Sequence, residues 1–346
     1  MTQAATGEPG YVVEAADMAR DGDAAIAVWR ASLGHAEGRA AKFEWFYHSA
    51  PDGALLQLLR HGSDRDVVGT AGVGWRRMQA NGRALLGGLL ADMAVLSSHR
   101  MLGPALSLQR TTCERALADA DLVYGFPNPN AVPVVKRLGY AHAGDMVLYV
   151  RPLHHAPYLA RRMPGPMARV LGGFLDLATQ ARDHLRARWP GGRARAHWCE
   201  AMAADLALPE AGDGTPLQGV RSRATLDWRF RRNPLANFRL LQVCLPARGA
   251  NGAWFVCHRA GDVLHIADMI IPDGASLAQC LAALSTTAYA MGCQSLSIEC
   301  CLPAHETSEL HRSGFRERQR RPIYVRWKDP GLAGTPLRFT AFDEDE

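Results

Sequence analysis

Between an apolar run ending at Leu96 and a helix-forming stretch lies Arg100-Met101-Leu102-Gly103-Pro104-Ala105. A glycine-containing loop entering a helix presents unpaired backbone N–H groups, and the helix dipole adds partial positive charge. Such a place cradles a pyrophosphate. Gly103 lets the backbone approach the phosphate, and Ala105 keeps the first turn small. Pro104 removes one N–H but suits a first turn. The pattern [Gln/Arg]-x-x-Gly-x-[Gly/Ala] arises roughly once by chance in a chain of this length. Gln79–Ala84 also fits, but it sits on the Asn81-Gly82 turn and opens no helix. Asp92, on the strand leading to the loop, is a carboxylate placed to act as a base or to cap and pair structurally.

The elements that position these residues are legible as period and punctuation. A strand at Tyr11–Glu14 precedes helices over Asp21–Leu33 and Arg39–Tyr47. Strands follow at Leu55–Leu59, Val67–Met78 and Arg83–Leu96, the last two joined at Asn81-Gly82. Then come a helix over Ala105–Asp119, a strand at Leu122–Phe126, a turn and N-cap at Asn128, a helix over Ala131–Leu138 and a strand at Tyr140–Val150. This order predicts α+β, with a mainly antiparallel sheet that splits into a parallel pair.

The chain then repeats itself. Ala91-Asp92-Met93 returns as Ala267-Asp268-Met269, and Leu138-Gly139-Tyr140 as Ser313-Gly314-Phe315. Leu148-Tyr149-Val150-Arg151 returns as Ile323-Tyr324-Val325-Arg326. Trp45 and Pro51 match Trp228 and Pro234. A repeat this long is domain-sized rather than a solenoid unit. The expected division is a first domain over 1–152, a helical linker over 153–190, a degenerate second domain over 191–330 and an acidic tail over 331–346. The end of that tail, Phe342–Glu346, reads as frayed. In the second copy the loop shrinks to Pro272-Asp273-Gly274-Ala275, which lacks the pattern and carries a repelling carboxylate. Asp268 keeps the aspartate where the loop is lost, which favours a structural role for Asp92.

With 346 residues and 48% apolar content, the chain can build two cores. A net charge of +5 is modest and argues against a DNA-coating protein. The eight cysteines form no Cys-x-x-Cys and the thirteen histidines no His-x-x-x-His, so no metal is expected and a cytoplasmic setting fits. No run reaches the length of a transmembrane span, and the N-terminus shows no signal peptide. Over 156–189, Met167, Val170, Leu171, Phe174, Leu177, Ala181 and Leu185 share one helical face, with six arginines against two aspartates. A helix packed across both domains is the preferred reading, and peripheral membrane contact is the alternative.

The Arg100–Ala105 loop, Val95 before it, Asn128, Ala131 and Gly139-Tyr140 after it resemble the GNAT acyltransferase superfamily, in tandem. The resemblance covers Tyr11 to Arg151. It implies acetyl-CoA or another acyl-CoA as co-substrate and a small-molecule or sugar amine as acceptor. Arg100, Met101, Leu102, Gly103 and Ala105 would hold the pyrophosphate. Met93 and Val95 would pair with the pantetheine arm, and Asn128 would hold it from the other side. Many family members carry a tyrosine that protonates the departing thiolate; here Val135 stands there, so another group must serve or the copy does no chemistry. The duplicated plan also resembles Fem-type transferases, which leaves an aminoacyl-tRNA donor or a non-catalytic CoA-binding scaffold as alternatives.

Overall fold

The computed structural model describes residues 10–34, 37–188, 192–200, 212, 214–245 and 252–345. The expected start of the first domain at 1–9, the end of the linker at Trp189 and Pro190, the first residue of the expected second domain and Glu346 lie outside them. Two compact units form. Unit 1 comprises Met1–Asp145, Ala211–Ala236 and Arg321–Glu346, and unit 2 comprises Met146–Glu210 and Asn237–Arg320.

In unit 1, β1 (Tyr11–Ala15), β2 (Ala54–His61), β3 (Asp66–Ala80) and β4 (Arg83–Val95) form an antiparallel meander. Asn81 and Gly82 turn β3 into β4 with φ of 48° and 71°, the positive values that an Asn-Gly hairpin needs. Helices α1 (Met18–Ser32) and α2 (Arg39–Phe43) precede β2. Asp17 caps α1, accepting from the N–H groups of Ala19 and Arg20. The expected helix over Arg39–Tyr47 ends early, because Glu44–His48 is a π-helical turn. After β4 come α3 (Leu102–Asp119), β5 (Leu122–Gly125) and α4 (Val132–Arg137). β5 pairs parallel to β4, where the preceding meander strands are antiparallel.

β6 (Ala141–Pro152), α5 (Ala156–Leu159), α6 (Gly165–Arg186) and β7 (Arg195–Cys199) follow. From β8 (Gln218–Gly219) and α7 (Arg223–Leu226) the plan restarts. A π-helical turn at Asp227–Arg231 leads to β9 (Arg239–Cys244), β10 (Ala253–Ala260) and β11 (Val263–Ile270). Then come α8 (Leu277–Ala290), β12 (Ser295–Cys300), α9 (Ala304–Arg312) and β13 (Arg316–Trp327). The strand order in unit 2 is β6-β12-β11-β10-β9-β7, with β11 and β12 parallel.

The copies interleave. β13, the last strand of the second copy, pairs with β5 of the first: Tyr324 faces Gly125 and Trp327 faces Leu122. β6, the last strand of the first copy, pairs with β12 of the second from Val147–Cys300 to Pro152–Ser295. The two π turns meet inside unit 1, where Trp45 and Trp228 stack at 4.7 Å and 16°. Each indole N–H donates to the other's backbone carbonyl, at 2.8 and 2.9 Å. The tryptophans that recur in the sequence thus form a reciprocal pair.

Two expectations change here. Phe342–Asp345 is not frayed: Phe342 is 4% and Asp343 1% exposed. Asp343 accepts from the N–H groups of Gly219 and Thr340, at 2.9 and 3.0 Å, and pairs with Arg221. A run of acidic residues reads as solvated only when no cation or N–H awaits it. The linker helix α6 also departs from the preferred reading, because the face carrying Met167 and Phe174 is open to solvent.

Candidate active site in unit 1

β4 and β5 touch only along Gly87–Leu122 to Leu89–Tyr124. Gly125 marks the end of the contact, since a Cβ there would lie 3.0 Å from that of Leu90. Beyond it β4 runs on to Val95, and a cavity of about 360 Å³ opens between the strands. Its lining combines Leu90, Gln109, Ala131, Val135 and Tyr324 with an ionic set, Arg39, Asp92, Arg321, Glu344 and Asp345.

Asp92 sits on a bulge, where the β3–β4 register slips between Thr70–Ala94 and Gly72–Ala91. Its φ of 50° is uncommon for a residue with a side chain. The surroundings hold it there. Its carbonyl accepts from Thr70 Oγ1 at 2.9 Å, and Thr70 Oγ1 accepts from Trp29 Nε1 at 2.8 Å. Oδ1 accepts from Lys42 Nζ and Oδ2 from the Tyr47 hydroxyl, both at 2.9 Å. Gly72 makes room for that hydroxyl, which would lie 1.9 Å from a Cβ.

Lys42 Nζ also donates to Asp345 Oδ2 at 2.9 Å. Two carboxylates therefore share one buried ammonium. Asp92 keeps 2% of its side-chain exposure and Asp345 keeps 25%. Burial raises the Asp92 pKa, against the pull of Lys42. Burial acts upward on Asp345 too, but Lys42 outweighs it and the pKa falls. Burial and the Asp92 charge push the Tyr47 phenol well up. Glu344 accepts from Arg321 at 2.9 Å. Among the described residues, no group of three His, Cys, Asp or Glu could hold a metal ion.

Asp92, Met93 and Asn128 line the cavity together. Asn128 is also bound to its own turn, with Oδ1 accepting from the N–H groups of Asn130 and Ala131 at 3.0 Å. Val95 packs with Leu59, Val68 and Leu108, and its carbonyl accepts from Arg100 Nε at 2.9 Å. Arg100 thus ties the loop back to β4. Met101 and Leu102 stand half-exposed at the start of α3, where Met101 occupies the cap position without a side-chain cap. Gly103 and Ala105, half-buried, form the first turn. Val95 and 100–105 lie outside the cavity lining.

Sequence reasoning missed Lys42, Tyr324, Glu344 and Asp345 as members of this site. Lys42 had one available signal, a cation on a helix leading into the repeated Trp45 turn. Asp345 had none, because nothing local ties it to Asp92.

No family model and no curated protein matches the sequence. Solved structures do. A conserved protein of unknown function from Enterococcus faecalis superposes with a TM-score of 0.59 at 10% identity, over 92% of this chain and 72% of that one. A GCN5-related N-acetyltransferase from Anabaena variabilis gives 0.59 at 12% identity, over 92% and 73%. Another from Kribbella flavida gives 0.57 at 15%, over 93% and 72%. The chain has the GNAT fold in tandem, each copy a mixed, mainly antiparallel sheet flanked by helices.

Proposed function

We propose that this chain is an acyl-CoA-dependent N-acyltransferase whose only donor site lies in unit 1. The observation that carries the reading is the cavity where β4 leaves β5, with the uncapped start of α3 following the same strand. A splayed strand edge offers backbone groups to an amide-bearing arm, and an uncapped helix start attracts a pyrophosphate. Acyl-CoA, with acetyl as the leading acyl group, would supply the activated thioester. The acceptor is the amine of a small molecule or sugar, entering beside the ionic set.

In the transfer, the amine nitrogen attacks the thioester carbon and the C–S bond breaks. Asp345, the more exposed carboxylate of the shared pair, takes the proton from the amine. Asp92, already accepting two hydrogen bonds, holds Lys42 and Tyr47 in place as a positioning residue. The Tyr324 hydroxyl, on the wall beside Val135, gives its proton to the thiolate. Water then moves the proton from Asp345 back to the phenolate.

Calorimetric titration of the full chain with CoA, followed by acetyl-CoA turnover over a panel of amines, tests this. Saturable binding at one site per chain, with turnover of at least one amine, is the expected result. Binding without any turnover would leave the scaffold reading. Absence of CoA binding would remove the donor and reopen the aminoacyl-tRNA reading, which no observation favours.

A further inference from the structure

Helix α6 is packed inside out. Its docked face is polar. Asp183, 1% exposed, pairs with Arg151, which also donates to Ser285 Oγ at 2.8 Å. Asp176 accepts from the N–H and Nδ1 of His155 at 2.8 and 2.6 Å, and Thr179 Oγ1 meets the Tyr289 hydroxyl at 3.2 Å. Gly172 lies so close to α5 that a Cβ would come within 2.6 Å of the Ala156 nitrogen. The opposite face carries the large apolar side chains. Met167 is 62% exposed, Val170 63%, Phe174 67%, Leu177 67% and Leu185 67%. At 100° per residue these fall on a single stripe along a helix about 33 Å long.

The charge distribution identifies what covers that stripe. Both aspartates of the segment, Asp176 and Asp183, are turned inward and paired. Arg161, Arg162, Arg169 and Arg188 are exposed. Along the segment, neither aspartate shares the apolar face, and exposed arginines flank the helix in sequence, Arg161 and Arg162 before it and Arg188 after it. Packing against a second copy would bring the same arginines together. An anionic lipid surface matches both features: acyl chains accept the stripe, and headgroup phosphates meet the guanidinium groups. No described helix is long and apolar enough to cross a membrane, so α6 would lie in the interface plane.

We propose that α6 is an interfacial helix that docks unit 2 onto anionic bilayers. Sedimentation of the full chain with phosphatidylcholine vesicles, with and without phosphatidylglycerol, tests it. The chain should sediment with the anionic vesicles and be released by raised salt. Phe174→Ser with Leu177→Ser should weaken partitioning on the order of 100-fold, the transfer of two large apolar side chains. Both side chains are exposed, so the melting temperature should hold. Arg161→Gln with Arg162→Gln should reduce binding to anionic vesicles and blunt its salt dependence. No binding to anionic vesicles, or binding that the Phe174→Ser, Leu177→Ser protein retains, overturns the proposal. A dimer in the ultracentrifuge, lost in that variant and without vesicle binding, overturns it in favour of a second copy.

Discussion

The helix that follows the splayed strand begins differently in the two units. α3 opens at Met101 with no side-chain cap. α8 opens at Ser276, whose Oγ accepts from the Gln279 N–H at 3.2 Å. The interiors differ in the same sense. Met93 lines the unit 1 cavity, whereas its counterpart Met269 is fully buried. Asp92 is reachable from the cavity, and Asp268 is 0% exposed. Tyr324 stands on the cavity wall, while Tyr149 packs beside His311 at 5.6 Å. What both copies share is architecture: a bulge near the aspartate, a π-helical turn around a tryptophan and a last strand ending Tyr-Val-Arg. Where they differ, among the described residues, is that the first has an uncapped helix start and an aspartate lining a cavity, and the second a capped start and a fully buried aspartate. The shared architecture is common to both halves, and the proposed donor site coincides with the half whose helix start is uncapped and whose aspartate lines a cavity.

The largest effect that separates the copies should come at the two helix starts. Gly103→Asp places a side chain and a negative charge in the first turn of α3. CoA affinity should fall on the order of 100-fold or more by calorimetry. The matching test in the second copy is Ser276→Ala, since Gly274 has φ of 68° and any side chain there would be strained. That change should cost unit 2 about 1 kcal/mol and leave CoA affinity unchanged. Equal losses of affinity would mean that the copies share the donor site.

Asp92→Asn comes next. Removing one partner from a buried ion pair costs roughly 3–5 kcal/mol, because the other charge is left behind. Lys42 would retain Asp345, which places the expected loss near the lower end of that range. Thermal denaturation and turnover should fall together. Lys42→Met combined with Asp92→Asn should cost less than the sum of the two, since one interaction is lost only once. A stable, CoA-binding Asp92→Asn protein without turnover would make Asp92 a catalytic residue instead.

Tyr324→Phe removes only a hydroxyl. Turnover should fall roughly 10- to 100-fold with CoA affinity intact, as expected for loss of a general acid. Tyr149→Phe, the same change in the other copy, should leave turnover alone.

Tyr324 also shows what a sequence can and cannot disclose. The order of elements in the first copy, the Asn81-Gly82 hairpin, the Asn128 turn and the internal repeat are written in local patterns, and the strands of the first copy lie within a few residues of those expected. The exchange of last strands is not. Leu148–Arg151 and Ile323–Arg326 carry nearly the same apolar pattern, so either could complete either sheet, and only tertiary packing decides. The missing tyrosine at Val135 was legible, but a tyrosine delivered by a strand from the other copy was not. The Asp92–Lys42–Asp345 cluster joins residues from three distant segments, and each looks ordinary where it stands. The apolar face of α6 was read correctly from its period, but period alone is silent on whether a face points in or out.

The smallest difference between the copies concerns acid. In unit 2, His258 and His265 face each other across β10 and β11, with rings stacked at 4.7 Å and 10°. Ser297 Oγ lies 2.6 Å from His265 Nδ1, and Phe238 packs edge-on to His258. At the matching register of unit 1, Leu89 faces Gly74, so nothing titrates. Burial lowers the pKa of His258; burial and then His258 lower that of His265. The folded state therefore binds fewer protons than the unfolded chain below about pH 6.5, the ordinary histidine value. Stability from this pair is complete above that pH and is lost as pH falls through the lowered values. Amide hydrogen exchange should show β10 and β11 losing protection between neutral pH and pH 5, while β3 and β4 hold theirs after correction for intrinsic rates. His258→Gln with His265→Gln should flatten that dependence. Equal acid sensitivity in β3–β4 would show that the histidine pair is not the cause and that carboxylates common to both copies set the response.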